Sequence, residues 1–503
     1  MIAIAVATKQ DPKITDTQGS KMNIKSIAIN FNTLSFKRSI LALITAATCQ
    51  STTVFAEETV TIGSKEVSKE NIQQLKEAPA IAGVENAIND TNPYLNQNTM
   101  DHKLVLKLKN EYRNAERPSA SGSFGPEVDA WVQYAELNYR SNNLLSWLDV
   151  EAAVYTTQKL HADPSKSSRF YLDGHDDFTL ASGSINIKPI DGVELKVGRY
   201  GTDYASGNID YYVPLIERTS VRPTPSISEG ALLKVDLEKF HLYGAYATRY
   251  AGGYYPDWQD HGTVQGRDAE GNPIIDEIPK FNIAGVWDNK AATGTELSVG
   301  VSYQNDHSTQ YMFNAQQVYI DNANAFWKAE LRGLYAQLEG YTKDLNASLM
   351  GDGYDDTGLL SGQLTYNKDR LTLIGSAGKV GTKLNSITAV DTDLGFSFDQ
   401  SIDRNHHDMF AWQMGTFYQM TPTLQTGIAI VKTDGYEDQT KAVEVDGIGA
   451  NLLITHKPQG AFEGLRTTLI LNKAKEYRTG SALGDELDYY DIKLSFHYDI
   501  SIL

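Results

Sequence analysis

Apolar and polar residues alternate along most of the chain from Lys103 onward. In KLVLKLKNEYR, Leu104, Leu106 and Leu108 share one parity, and Val105, Lys107 and Lys109 the other. AWVQYAELNYR sets Ala135, Leu137 and Tyr139 against Glu136, Asn138 and Arg140. Across a turn at 141–143, LLSWLDVEAAVYTT opposes Leu148, Val150, Ala152 and Val154 to Asp149, Glu151 and Ala153. A period of two is that of a β-strand, whose successive side chains point to opposite faces. One face of this first hairpin suits lipid and the other suits water. Similar runs recur: SGSINIKP with DGVELKV around 189–192, PKFNIAGVWD with TELSVGVSYQND around 289–294, and GLLSGQLTYNKD with RLTLIGSAGKV around 367–369. DLGFSF, MFAWQMGTFYQM, TLQTGIAIVKTD, GANLLITHKP, LRTTLILNKAKE and LDYYDIKLSFHYDISIL complete the series. The recurrence predicts about sixteen to eighteen strands, spaced as long tilted strands with alternately short and long connections are. Polar connections at 159–177, 256–279, 306–325, 344–357, 382–392 and 401–407 are assigned to the outside, with the short turns on the periplasmic side.

The stretch 192–250 departs from this rhythm in its middle. VELKVGRY alternates, YYVPLIERTSVRPTPSISEG does not, and ALLKVDLEKFHLYGAYATRY alternates again. It reads as a strand, a long loop folded inward, then a hairpin. In a barrel that loop carries charge into the bore.

Composition fits the same picture. Tyr at 28 and Gly at 40, with a single Cys, suit an all-β chain. Mean hydropathy is −0.37, which excludes a helical membrane bundle but not a barrel with a polar bore and wet loops. Aromatics gather near predicted strand ends: Trp131, Tyr139, Trp147, Tyr155, Trp287, Tyr303, Trp412, Phe417, Tyr418, Tyr489 and Tyr490. Belts at the two membrane interfaces account for them, as does the general liking of Tyr and Trp for strands.

Lys37 and Arg38 precede the apolar run SILALITAATC, and VFA follows at Val54 to Ala56, a signal-peptide pattern with cleavage after Ala56. Met22 is the more natural start, with 1–21 a mis-set start or an extension. A lipoprotein reading through Cys49 is the alternative. Removing the six basic and two acidic residues of 1–56 leaves 39 basic against 61 acidic, a net charge of −22. That balance argues against a nucleic-acid partner. The domain reading is a signal with possible extension at 1–56, a polar periplasmic segment at 57–100 with a short surface helix over 65–77, and a transmembrane barrel at 101–503. No later run of about twenty apolar residues occurs, so the chain either is soluble or spans as a closed barrel.

VELKVGRYGTDY, the Pro-containing loop and PSISEGALLKVDLEKFHLYGAYATRY together resemble the OprD-like outer-membrane porins, with 225–230 matching the segment that leads out of the third external loop. The likeness is sharpest over 193–253; elsewhere it is one of length and layout. It implies a monomeric antiparallel barrel of about eighteen strands in the outer membrane, pinched by the third loop and a later one. It implies passage of small hydrophilic solutes (amino acids, small carboxylates or short sugars), guided by a row of arginines. Lipid and lipopolysaccharide would surround it. A terminal Leu503 where such barrels usually end in Phe is a departure.

Charges at the narrow part of a bore set what passes. Arg218 and Arg222 in the inward loop rank first, with Glu217 and Glu229 beside them and Asp210 and Tyr211 behind. Substrate guiding and pinning of the loop to wall carboxylates are both open to the two arginines. Arg249 shares parity with His241, Tyr243 and Ala247; Arg332 with Lys328 and Glu330; Arg140 with Glu136 and Asn138. These three form the candidate ladder. Arg199 falls with the apolar set and requires an interface position or a bulge. Arg466 has no clear face, and Arg370 lies at a tight turn.

No nucleotide loop, zinc spacing or nucleophile elbow occurs, and no cofactor is expected. His406, His407 and Asp408 are the one cluster that catches the eye, and GDGYDD at 351–356 does not match a Ca²⁺ loop. Two other classes remain: a secreted or surface-bound soluble β-protein with a binding role, and a barrel enzyme. A soluble protein would lack a continuous apolar band on its outer face.

Overall fold

A computed structural model describes residues 59–62, 65–68, 102–116, 127–141, 144–162, 179–201, 212–216, 227–252, 255–260, 262–267, 273–320, 325–340, 356–382, 396–397, 401–402, 404–480 and 486–502. The chain divides into two units, Met1–Ala56 and Glu57–Leu503. The first lies outside the described residues.

Eighteen strands close into one antiparallel barrel. In chain order they are β1 (His102–Glu116), β2 (Glu127–Ser141), β3 (Leu148–Ala162), β4 (Thr179–Ile190), β5 (Val193–Gly201) and β6 (Ile227–Leu237). Then come β7 (Phe240–Gly252), β8 (Lys280–Asn289), β9 (Thr295–Gln304), β10 (Ser308–Ile320), β11 (Phe326–Leu338) and β12 (Asp356–Lys368). The last six are β13 (Leu371–Val380), β14 (His407–Thr421), β15 (Leu424–Tyr436), β16 (Glu444–His456), β17 (Leu465–Thr479) and β18 (Glu486–Ser501). Each pairs with its chain neighbour, and β18 pairs with β1 from Tyr490↔Glu116 to Ser501↔Val105. Closure removes the free edges that would otherwise present unpaired backbone groups, as a hydrocarbon setting demands. An additional strand, Tyr255–Asp260, lies along β7, and the hairpin of Gly262–Arg267 with Pro273–Glu277 occupies the connection from β7 to β8.

The alternation in the sequence is used inside out. In β9, Glu296, Ser298, Ser302 and Gln304 are buried, while Leu297, Val299, Val301 and Tyr303 are exposed. Gln413 and Asn451 are each 1% exposed, whereas Met414 is 67% and Ile283 69% exposed. In water, each apolar side chain left out in this way forgoes about 1.5–3 kcal/mol of burial. Repeated around the whole wall, that deficit excludes a soluble protein and fits an outer face in lipid around a polar interior.

The start of β1 and the end of β18 lie at one end of the barrel, with the tight turns Asp191–Gly192, Glu238–Lys239 and Asp369–Arg370. The short helix Lys290–Thr293 ends there on Gly294 in the left-handed conformation. The longest connections leave from the opposite end, which also carries the shorter ones at 305–307, 437–443 and 480–485.

Several expectations need correction. The supposed connection at 306–325 contains β10, in which Gln310 and Asn314 face inward and Tyr311 and Phe313 outward. A polar half turned to a wet interior looks like a loop when read for composition. β2 runs through Ser141, and the connection to β3 continues to Trp147, with Leu144, Leu145 and Trp147 exposed at the rim. DLGFSF forms no strand at its described residues, Phe396 and Ser397, which fold into the barrel. In place of a helix starting at Lys65, Thr59–Ile62 pairs with Lys65–Ser68 as a small hairpin. Of the belt aromatics, Tyr155, Phe417 and Tyr489 turn inward.

Candidate functional site

The third long connection, from β5 to β6, enters the barrel. Its described residues 212–216 form the apolar run YVPLI, and Val213 and Leu215 are among the buried residues of the interior. Val213 and Ile216 pack with Tyr200, Leu232, Tyr243, Ala245, Ala284 and Val286 on the wall of β5–β8. Leu215 packs with Met312, Leu334, Leu359, Val380, Met409 and Val445 on the wall of β10–β16. Pro214 lies against Gly300 of β9, where an added Cβ would stand 2.9 Å from the proline; only glycine leaves that room. The Tyr212 N–H donates to Glu296 Oε1 at 3.0 Å, and Lys290 Nζ donates to Glu296 Oε2 at 2.5 Å. The loop is thus held against the wall between β5 and β16 by burial and by a buried carboxylate.

The rest of the wall is charged. On β1 the inward positions are Lys103, Val105, Lys107, Lys109, Glu111, Arg113 and Ala115. At about 3.3 Å per residue, the four cations span on the order of 33 Å along the strand. Neighbouring strands extend the wall. Inward on β17, β18, β1 and β2 stand eight basic side chains: Arg466, Arg478, Lys493, Lys103, Lys107, Lys109, Arg113 and Arg140. Among the described residues they face five carboxylates on the same strands: Glu476, Asp491, Asp499, Glu111 and Glu136. Lys107 pairs with Glu136 at 3.1 Å and Lys493 with Glu111 at 3.4 Å. Arg113 Nε donates to both oxygens of buried Asp491 at 3.0 Å. On β5, Lys196 reaches Glu151 of β3 at 2.9 Å. Pairing holds the side chains in fixed places, and among the described inward residues of these four strands the cations outnumber the carboxylates.

The predicted site residues are distributed as follows. Glu217, Arg218 and Arg222 lie outside the described residues, as do Asp210 and Tyr211. Arg140 is on the charged wall, level with Lys103 and Glu151. Glu229 takes Arg199 Nε at 2.8 Å, so Arg199 sits near the loop-side end of the wall in an ion pair. A bulge in the β6–β7 pairing places Arg249 opposite Glu229, so the alternation counted from His241 does not carry through to it. Gly230 makes that bulge possible: its φ is +156°, and a Cβ there would fall 1.9 Å from the Tyr246 carbonyl oxygen. Arg332 is inward on β11, with its guanidinium between the rings of Tyr212 at 4.3 Å and Phe396 at 4.6 Å. Arg466 is inward and buried.

Parity reasoning missed most of the wall. Lys107, Lys109 and Arg113 stand on one parity of KLVLKLKNEYR and were legible there, yet the candidate ladder omits them. Tyr212 carried no signal beyond being an aromatic residue in a loop, and Phe396 falls in a run that reads as a strand. Among the described residues no cluster of His, Cys, Asp and Glu is arranged to hold a metal ion.

No protein-family model matches the chain. In structure it is similar to the BenF-like porin of Pseudomonas fluorescens Pf-5, with TM-score 0.63 and 14% identity over 80% of this chain and 99% of that one. It is likewise similar to Pseudomonas aeruginosa OccK2 (OpdF), solved in complex with glucuronate, with TM-score 0.59 and 16% identity over 80% and 99%. At such identities the likeness establishes the fold, an eighteen-stranded barrel of the kind seen in bacterial porins. In sequence the chain is 34% identical over 405 residues to the membrane-associated protein UidC of Escherichia coli K12, covering 79% of this chain and 92% of UidC. By that extent of identity, the chain belongs to the family of UidC.

Proposed function

We propose that this chain is an outer-membrane porin of the OprD-like kind, a passive and selective diffusion channel for small hydrophilic solutes, with small carboxylates as the preferred class. The observation that carries this reading is the cation-rich wall on β17, β18, β1 and β2, with the inward loop held against the wall between β5 and β16. A low-dielectric wall strengthens the pull of fixed charge on a passing ion. OccK2 was solved in complex with glucuronate, a sugar carboxylate, which supports the same class. Arg218, Arg222 and Glu217 add to the narrow part of the passage in this reading. Residues 1–56 direct export, and the barrel acts as a monomer.

The test is a liposome-swelling panel of glucuronate, succinate, a neutral hexose and lysine on the refolded protein. The reading expects the two carboxylates to enter faster than the hexose and lysine last. Equal rates, or lysine first, would overturn the carboxylate preference; no swelling with folded protein would overturn the channel itself.

A further inference from the structure

Two loops meet inside the barrel at one side chain. Tyr212 belongs to the connection between β5 and β6, and Phe396 to the connection between β13 and β14. Between their rings lies the guanidinium of Arg332, which projects from the wall strand β11. A planar cation can stack on two aromatic faces at once, which an ammonium on a flexible stem does far less well. Arg332 Nε also donates to Asn314 Oδ1 on β10 at 3.2 Å, which fixes the plane of the group. Among the described residues no carboxylate pairs with it, so the rings are its main neighbours.

Each loop is held from behind by different strands. The backbone N–H of Tyr212 donates to Glu296 of β9 at 3.0 Å, and its hydroxyl lies 3.6 Å from Met312 Sδ of β10. The backbone N–H of Phe396 donates to Ser361 Oγ of β12 at 3.0 Å. Ser361 is the register partner of Arg332, so the two wall residues grip Phe396 together. Ser397 Oγ lies 3.1 Å from Ser376 Oγ on β13.

We propose that Arg332 is a positioning residue, a clasp that ties the two inward loops to each other and to the wall, and so sets the width and steadiness of the passage. Its task is separate from that of the charged wall across the interior. The inference rests on the channel reading only for its consequence, since the clasp itself can be measured on the folded protein whether or not it conducts.

The experiment compares the full-length refolded protein with Arg332→Lys, which keeps the charge but loses the two-faced plane, and with Phe396→Leu, which leaves the wall untouched. Barrel formation is checked by heat-modifiable migration. Hydrogen exchange is followed in peptides containing the Tyr212 and Phe396 amides. The clasp predicts at least tenfold faster exchange at both loops in Arg332→Lys, and at the Tyr212 loop in Phe396→Leu although that loop is unaltered. In planar bilayers it predicts noisier and larger open-channel current for both variants, with ion selectivity held within about twofold. Unchanged exchange at either loop in Arg332→Lys would overturn the clasp. So would quiet channels with altered selectivity, the mark of a solute-guiding charge. A silent unaltered protein would count against the channel reading and leave the exchange result to decide the clasp.

Discussion

Lys109 offers the sharpest test of the charged wall. It faces inward at the middle of β1, opposite Tyr134 and His497 in the register, with its Nζ 5.3 Å from the Tyr134 ring centre. Lys109→Gln removes one positive charge with little change of shape. A carboxylate passing about 5 Å away loses about 0.8 kcal/mol of attraction if the bore behaves as bulk water, and about 3 kcal/mol at an effective dielectric of about 20. At about 0.1 M salt the Debye length is about 10 Å, which leaves about 0.5 kcal/mol of the weaker figure. Anions lose that amount and cations gain it, so the anion-to-cation permeability ratio should fall at least about fivefold. Reversal potentials across planar bilayers under a salt gradient measure this. At about 1 M salt, with a Debye length of about 3 Å, the difference should shrink. The control is Lys473→Gln on the outer face, 63% exposed, which should leave the ratio alone. An unaltered ratio in Lys109→Gln at low salt, or the same shift in the control, would refute the placement of a guiding charge on this wall.

Two further outcomes follow from the fold. Val299, 61% exposed at mid-strand in β9, should tolerate Arg on a soluble protein's surface; in a lipid-facing wall Val299→Arg should cost about 2–4 kcal/mol, read by urea unfolding in lipid vesicles. His307, in the turn between β9 and β10, has its pKa lowered to about 4, by burial first and by the charge of Lys280 second. Its folded value lies below the unfolded value of about 6.5, so the turn is fully stable above that pH and loses stability as pH falls from there towards 4. Protection of the Glu339 amide, which donates to the His307 carbonyl, should fall from pH 7 to pH 5, once the intrinsic pH dependence of exchange is divided out, in the unaltered protein and not in His307→Gln.

The barrel was legible because its rule is local. Alternation in KLVLKLKNEYR or TELSVGVSYQ assigns each residue a face without knowledge of any partner strand, and the recurrence of such runs implies closure. The rule failed where polarity was read as a loop signal, as over β10, whose Gln and Asn residues face a wet interior. It failed again at DLGFSF, whose described residues Phe396 and Ser397 form no strand and lie buried in the interior. Parity also cannot see a bulge, and one between Ala247 and Arg249 breaks the alternation from which that arginine was given a face. The clasp of Tyr212, Arg332 and Phe396 joins residues far apart in the chain through two loops. Nothing local in the sequence encodes that meeting.

The central claim is an open aqueous passage through a closed barrel, and single-channel recording of the refolded, unaltered protein in a planar bilayer tests it most directly. Discrete current steps that persist at constant voltage are the predicted result. A bilayer that stays silent while the same sample shows heat-modifiable migration would contradict it.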